Sequence, residues 1–199
     1  MKTCTTFRHL SLAIILVTLL SSCKKEKVGV VAMSDSTKAW LHETNGKISF
    51  STFAGDQQEL TVKVKEEVKV RPPSFGNGYE EVQTREVLFE ANHSNLKILI
   101  MAERSFVYFR STAPYYHDDT YAALFTSSNP IQEYVNEYRV AAELIDNVSL
   151  GGKNYDRVVH IRFPYYPDFP DSLRELFYSK QDGLIAYTTV DNRMWYLDE

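Results

Sequence analysis

Cysteine is nearly absent from this sequence, which has only Cys4 and Cys23 among its 199 residues. Neither cysteine belongs to the paired Cys-x-x-Cys pattern of zinc or thiol redox sites. Because no cysteine follows residue 23, the rest of the chain cannot hold an internal disulfide, whatever its compartment. Packing must therefore stabilise the fold, and the 13 tyrosines and 11 phenylalanines supply large side chains for it.

Catalytic signatures are also missing. The chain contains no Gly-x-Ser-x-Gly, no His-Glu-x-x-His and no glycine-rich phosphate loop. These patterns mark nucleophilic serine, zinc and nucleotide sites. A catalytic triad assembled only by folding would escape this test. The sequence therefore favours a non-catalytic function and predicts no cofactor.

Positive charge is too scarce for nucleic acid to be a partner. Loss of the first 22 residues would remove Lys2 and Arg8, leaving 20 basic against 26 acidic residues, a formal charge of −6. Nucleic-acid binders concentrate positive charge instead.

The N-terminus carries the most specific pattern. Lys2 and Arg8 precede the apolar run 10–20, which is followed by Leu20-Ser21-Ser22-Cys23. The run is shorter than the roughly 20 residues that a membrane-crossing helix needs, so it predicts a secretory signal peptide. The tetrad resembles the lipobox of bacterial lipoproteins. That resemblance implies cleavage after residue 22 and acylation of Cys23, with palmitate-type chains, as the new N-terminus.

This pattern sets the expected domains and location. We expect a cleaved signal peptide over 1–22, a lipidated cysteine and tether over 23–33, and a single β-rich domain over 34–199. Lys24 follows the cysteine, where some bacteria place the acidic residue that retains lipoproteins on the inner membrane. We therefore expect an outer-membrane lipoprotein of the bacterial envelope, facing the periplasm or the cell surface.

Alternation with period 2 predicts the fold class. Apolar residues at 60, 62, 64, 68 and 70 share one face of a long strand, interrupted by Glu66. We expect this strand to bend near Glu66 or to belong to a curved sheet. Further strands are predicted at 47–53, 85–91, 96–102, 106–110 and 155–163, the last paired with a segment from about 140 to 150. Short polar gaps favour hairpins. We therefore expect a mainly β fold, with antiparallel sheets as a sandwich or half-open barrel and at most one short helix.

Two segments are predicted to depart from strand structure. Residues 111–129 are expected to form an irregular aromatic loop. Asn129-Pro130 then resembles a helix start, and Ile131, Tyr134, Val135 and Tyr138 fit one helical stripe. A short helix from Pro130 to about Tyr138 is predicted.

The C-terminal runs 173–179, 184–190 and 194–197 are predicted to form a meander.

A second resemblance rests on four segments. They are Ile48-Ser49-Phe50 leading to Gly55-Asp56, Gly152–Val158 (GKNYDRV), Phe177–Tyr187 (FYSKQDGLIAY) and Trp195-Tyr196-Leu197. Together they are similar to small lipoproteins of Bacteroidota type, mainly over residues 140–199. The resemblance implies an envelope location and carries over no catalytic residue.

Two aromatic loops supply the candidate site residues. The predicted recognition surface consists of Tyr115, Tyr116, Tyr121, Tyr165, Tyr166 and Phe169. Proline-stiffened aromatic loops suit recognition, because little entropy is lost on binding. Within the first loop, His117, Asp118 and Asp119 form the only metal-ligand candidate, and three adjacent residues rarely point at one centre. His42, His93 and His160 are isolated in sequence and receive no role.

Three functional interpretations remain open at this point. The preferred one is a lipid-anchored binding or accessory module that contacts an envelope protein or an apolar ligand through the aromatic loops. The second is a metal-assisted hydrolase centred on His117. The third is a structural subunit of an envelope complex.

Overall fold

The computed structural model describes residues 26–73, 76–111, 121–125, 131–134, 140–163 and 172–198. Its regular structure is almost entirely β, with one four-residue helix, α1 (Asp35–Lys38). The strands are β1 (Lys27–Val31), β2 (Gly46–Ser51), β3 (Gln57–Arg71), β4 (Tyr79–Ala91), β5 (Lys97–Glu103), β6 (Phe106–Ser111), β7 (Tyr121–Phe125), β8 (Ile131–Tyr134), β9 (Ala141–Ile145), β10 (Val148–Leu150), β11 (Lys153–Tyr155), β12 (Val158–Arg162), β13 (Leu173–Ser179), β14 (Gly183–Thr189) and β15 (Met194–Leu197). Over these described ranges, no helix is long and apolar enough to cross a membrane.

The chain divides into two compact units. The smaller consists of Met1–Val30 and Val70–Glu81, and the larger of Val31–Lys69 and Val82–Glu199. In the smaller unit, β1 pairs with the start of β4. The Tyr79 N–H donates to the Glu26 carbonyl at 3.0 Å, and Lys27 forms an ion pair with Glu81 at 2.6 Å.

The larger unit is built on one antiparallel sheet. Its strand order is β8-β7-β6-β5-β4-β3-β2-β15-β14-β13-β12-β9. The two ends of this order, β8 and β9, lie next to each other, so the sheet of this unit curls into a half-barrel. The predicted mainly β, antiparallel, half-open architecture is confirmed.

The concave face of this sheet encloses the main core. Its fully buried members include Phe50, Phe89, Phe109, Tyr178 and Tyr187. T-shaped ring contacts join Phe109 to Tyr178 at 5.4 Å and Phe50 to Tyr187 at 5.1 Å between centroids. Such edge-to-face pairs add stability beyond the area they bury. They help to stabilise a fold that has no disulfide after residue 23.

The segment around α1 belongs to this core. Met33, Trp40 and Leu41 are all buried in it. The Ser34 side chain caps α1 by accepting from the Thr37 N–H at 3.2 Å. The buried Tyr178 hydroxyl donates to the Trp40 carbonyl. A helix of four residues has little stability of its own, so these tertiary contacts hold it.

The long strand β3 matches the predicted alternation only as far as Val64, because Val68 and Val70, which were predicted to share the same apolar face, are exposed. Leu60 and Val62 are buried and Val64 is half-buried. The strand continues through Glu66, whose exposed carboxylate accepts a hydrogen bond from Arg85 Nε at 2.6 Å. The acid on the apolar face is therefore paired at the surface and is not buried.

The predicted helix from Pro130 to Tyr138 is wrong over the described part of that range. Ile131–Tyr134 forms β8, which pairs antiparallel with β7, Ile131 opposite Leu124. Inter-strand hydrogen bonds satisfy the backbone groups that a helix would have satisfied internally. The expectation of an irregular loop over 111–129 is corrected in the same way, because Tyr121–Phe125 forms β7 between β6 and β8.

The C-terminal predictions are confirmed with one refinement. Strands β13, β14 and β15 form the expected meander. The predicted partner of 155–163 is divided in two, since β9 pairs with β12 while β10 and β11 form a separate hairpin.

Candidate functional site

The residues predicted as a recognition surface fall largely outside the described part of the chain. Tyr115, Tyr116, Tyr165, Tyr166 and Phe169 lie outside it, and only the backbone of Tyr121 is described, at the start of β7. The metal candidates His117, Asp118 and Asp119 also lie outside it, as does Cys23, the predicted lipidation residue. These assignments stay predictions.

A cleft lies beside the β10–β11 hairpin. The hairpin turns at Gly151 and Gly152, both at positive φ. A Cβ on Gly151 would lie 2.9 Å from Tyr196 Cβ, so glycine allows the turn to pack closely. The hairpin covers a second apolar cluster on β12–β15, which includes Val158, Phe177 and Ile185.

This cleft, called the Tyr155 cleft below, has a volume of about 630 Å³. It lies between the hairpin side, 153–157, and the β13–β14 turn, 179–182. Its lining residues are Ala39, Lys153, Asn154, Tyr155, Asp156, Arg157, Ser179, Lys180, Gln181 and Asp182. The volume is within the range of small-ligand sites, and most of the lining residues are polar or charged, although their carbon atoms supply the larger part of the lining surface.

Charges of both signs line the Tyr155 cleft. Lys153, Arg157 and Lys180 supply cations, and Asp156 and Asp182 supply carboxylates. Such an arrangement can recognise polar groups that carry both signs of charge.

The β13–β14 turn holds one wall of the cleft in place. Ser179 Oγ accepts from the backbone N–H groups of Gln181 and Asp182, each at 3.1 Å, and donates to the Asp182 carboxylate at 2.9 Å. Across the cleft, burial and the Asp182 charge raise the pKa of the Tyr155 phenol above its usual value. Like any tyrosine, Tyr155 is protonated at neutral pH, and its phenol can donate a hydrogen bond.

The Tyr155 cleft also unites two of the sequence segments that carried the family resemblance. Gly152–Val158 supplies one side, and the Ser179–Asp182 part of Phe177–Tyr187 supplies the other. Their proximity follows from the pairing of β12 with β13, Val158 opposite Ser179. The sequence suggested both segments only as turns and strand ends.

A second cleft of about 350 Å³ lies near Trp195. The Arg193 guanidinium carbon lies 5.7 Å from the Trp195 ring centroid, and Tyr187 donates to Gln58 at 2.5 Å. The Trp195 indole N–H is buried and has no hydrogen-bond partner among the described residues. Trp195 is only 5% exposed, so its ring does not offer a stacking surface to a ligand.

The folded chain places His160 beside two carboxylates and an aromatic ring, contacts that the sequence analysis did not predict. Its Nδ1 lies 3.0 Å from Glu143 Oε1 and its Nε2 lies 3.7 Å from Glu175 Oε2. The imidazole stacks on Phe177 at 4.2 Å between centroids. The register that places Glu143 opposite His160 brings them together, and no local spacing in the sequence reveals it. None of the described clefts includes His160.

Metal chemistry receives no support from the described ranges. No group of three or more His, Cys, Asp or Glu side chains within them is arranged to hold a metal ion.

Comparisons of the chain with protein-family models, curated proteins and solved structures gave no match.

Proposed function

We propose that the protein is a lipid-anchored binding or accessory module of the bacterial envelope, attached to the outer membrane through Cys23. The N-terminal basic residues, the short apolar run and the Leu-Ser-Ser-Cys tetrad support the anchor. The first described strand, β1, begins at Lys27, only four residues after Cys23. Strand β1 thus lies inside the predicted tether, 23–33, and the folded chain would stay close to the membrane.

The Tyr155 cleft is the observation that carries the binding role. Its two walls come from separate turns, and both signs of charge line it. These properties favour a polar protein segment over an apolar ligand as the occupant. We propose an envelope protein as the partner, contacted by the cleft and by the tyrosine loops around Tyr115 and Tyr165.

The anchor is tested by metabolic labelling with an alkyne analogue of palmitate. The wild-type chain should incorporate the label, and Cys23→Ala should lose it and keep its signal peptide. Cys4→Ala is the matched control, because it removes the other cysteine within the same leader and should label normally. Equal labelling of Cys23→Ala and wild type would refute the anchor.

The binding role is tested by capture of partners from the protein's own envelope with the tagged, full-length chain. Reversing two cleft charges, in Lys153→Glu/Lys180→Glu, should lower capture roughly tenfold or more, since each 1.4 kcal/mol of lost binding energy is a factor of ten. Lys47→Glu reverses the charge of an exposed lysine outside the cleft and should leave capture unchanged.

The tyrosine loops are tested in the same assay. Substituting Tyr115, Tyr116, Tyr165 and Tyr166 together by alanine should abolish capture while the β-sheet circular dichroism stays intact. Full capture by this variant and by the cleft variant would refute the proposed binding module.

A further inference from the structure

The smaller unit exposes an unusual amount of apolar side chain. Val28 is 54% exposed, Val30 is 64% exposed and Val70 is 66% exposed. Among the described residues of the larger unit, only Phe53 and Val68 are large hydrophobics with comparable exposure. Val28 and Val30, which lie together on β1, are called the valine group below; Val70 lies on β3.

The two members of this group face the same way. Val28 and Val30 are two residues apart on β1, and side chains at that spacing share one face of a strand. The strand itself is held by its backbone contact from Tyr79 to Glu26 and by the Lys27–Glu81 ion pair. The exposed valines therefore belong to an ordered strand with an uncovered apolar face.

Strand formation alone does not require valine at these positions. Threonine is also β-branched and favours strands, and its hydroxyl is compatible with water. Exposed apolar side chains that lie next to each other on an ordered strand indicate that another surface covers them.

We infer that the lipid bilayer carrying the Cys23 anchor covers the valine group, so that β1 docks on the membrane surface. This inference rests on the proposed lipid anchor. Val28 is the fifth residue after Cys23, and an extended chain of that length reaches about 17 Å at most. A lipid attached at Cys23 would thus hold the β1 face within reach of the acyl boundary, where valine side chains are stabilised.

The inference is tested with the full-length lipidated chain in phosphatidylethanolamine/phosphatidylglycerol vesicles. Because the mature chain has no other free cysteine under the proposal, Val30→Cys accepts a single environment-sensitive fluorophore. Asn95→Cys, an exposed position of the larger unit, is the control site. Vesicles with brominated acyl chains quench only labels that enter the acyl region.

Docking predicts a blue-shifted Val30 label whose emission falls roughly twofold in brominated vesicles, as expected for a group at the headgroup–acyl boundary. The Asn95 label should show neither effect. Adding Val28→Thr to the Val30→Cys background should remove much of the quenching, and Phe53→Thr should not.

Other outcomes overturn the inference and separate it from the proposed anchor. A Val30 label that stays water-like while the chain floats with the vesicles refutes docking and leaves the anchor standing. A blue shift without quenching assigns the face to a second copy of the chain or another protein. A chain that does not float with vesicles refutes the anchor and the docking together.

Discussion

Replacing Tyr178 by phenylalanine tests how the α1 segment is fixed to the core. The Tyr178 side chain is fully buried and its hydroxyl donates to the Trp40 carbonyl. Its ring also packs edge-to-face on Phe109, and phenylalanine keeps that contact. The substitution therefore removes one hydrogen bond and leaves a buried carbonyl without its donor.

The expected cost follows from these two terms. The lost hydrogen bond and the unsatisfied carbonyl together should lower the free energy of unfolding by about 2 kcal/mol. For a chain of this size, this corresponds to a fall in Tm of roughly 4–8 °C. Urea denaturation followed by circular dichroism measures it, with the slope m unchanged.

Tyr196→Phe is the matched control for this substitution. Tyr196 is only partly buried, so loss of its hydroxyl should change the free energy of unfolding by no more than about 0.5 kcal/mol. Equal losses in the two variants, or no loss in Tyr178→Phe, would refute the buried hydrogen bond as the link between α1 and the core.

Three further outcomes follow from the larger unit. Burial raises the pKa of Tyr178. The contribution of Tyr178 to stability is therefore complete below the unfolded tyrosine pKa near 10 and is lost as pH rises beyond it. Urea titrations from pH 8 to 11 should show this loss, and Tyr178→Phe should reduce it. Gly183→Ala should destabilise by about 2 kcal/mol or more in thermal unfolding, because φ is +77° and the new Cβ would lie 2.5 Å from His42 Nε2; a neutral result would contradict this geometry. Hydrogen bonds from Lys65 and Lys69 lower the pKa of Glu67 to about 2, so carboxyl NMR should find Glu67 ionised through pH 4, and Lys69→Ala should move its titration toward the ordinary value.

Much of the fold prediction was based on the alternation of apolar and polar residues along the predicted strands. The face formed by Leu60, Val62 and Val64 predicted β3 because alternation with period 2 fits only extended structure. The segment at 131–134 misled prediction because apolar residues at 131 and 134 also fit a helical stripe. Hydrogen bonding to β7 makes the segment 131–134 a strand, and tertiary pairing routinely overrides such weak local preferences.

The candidate site was less accessible to sequence reasoning. The segments that form its walls were singled out only by the resemblance, and the Tyr155 cleft exists because β12 and β13 pair with Val158 opposite Ser179. The contact between His160 and Glu143 likewise depends on strand register. Register is set by how whole strands pack, so residues distant in sequence meet without any local signal.

Mass spectrometry of the N-terminal peptide tests the central proposal most directly. The protein would be extracted from envelopes with detergent, and its first residue and that residue's mass determined. The account predicts a chain that begins at Cys23, with a diacylglyceryl group on the sulfur. A free thiol at Cys23, or a chain that begins at another residue, would contradict it.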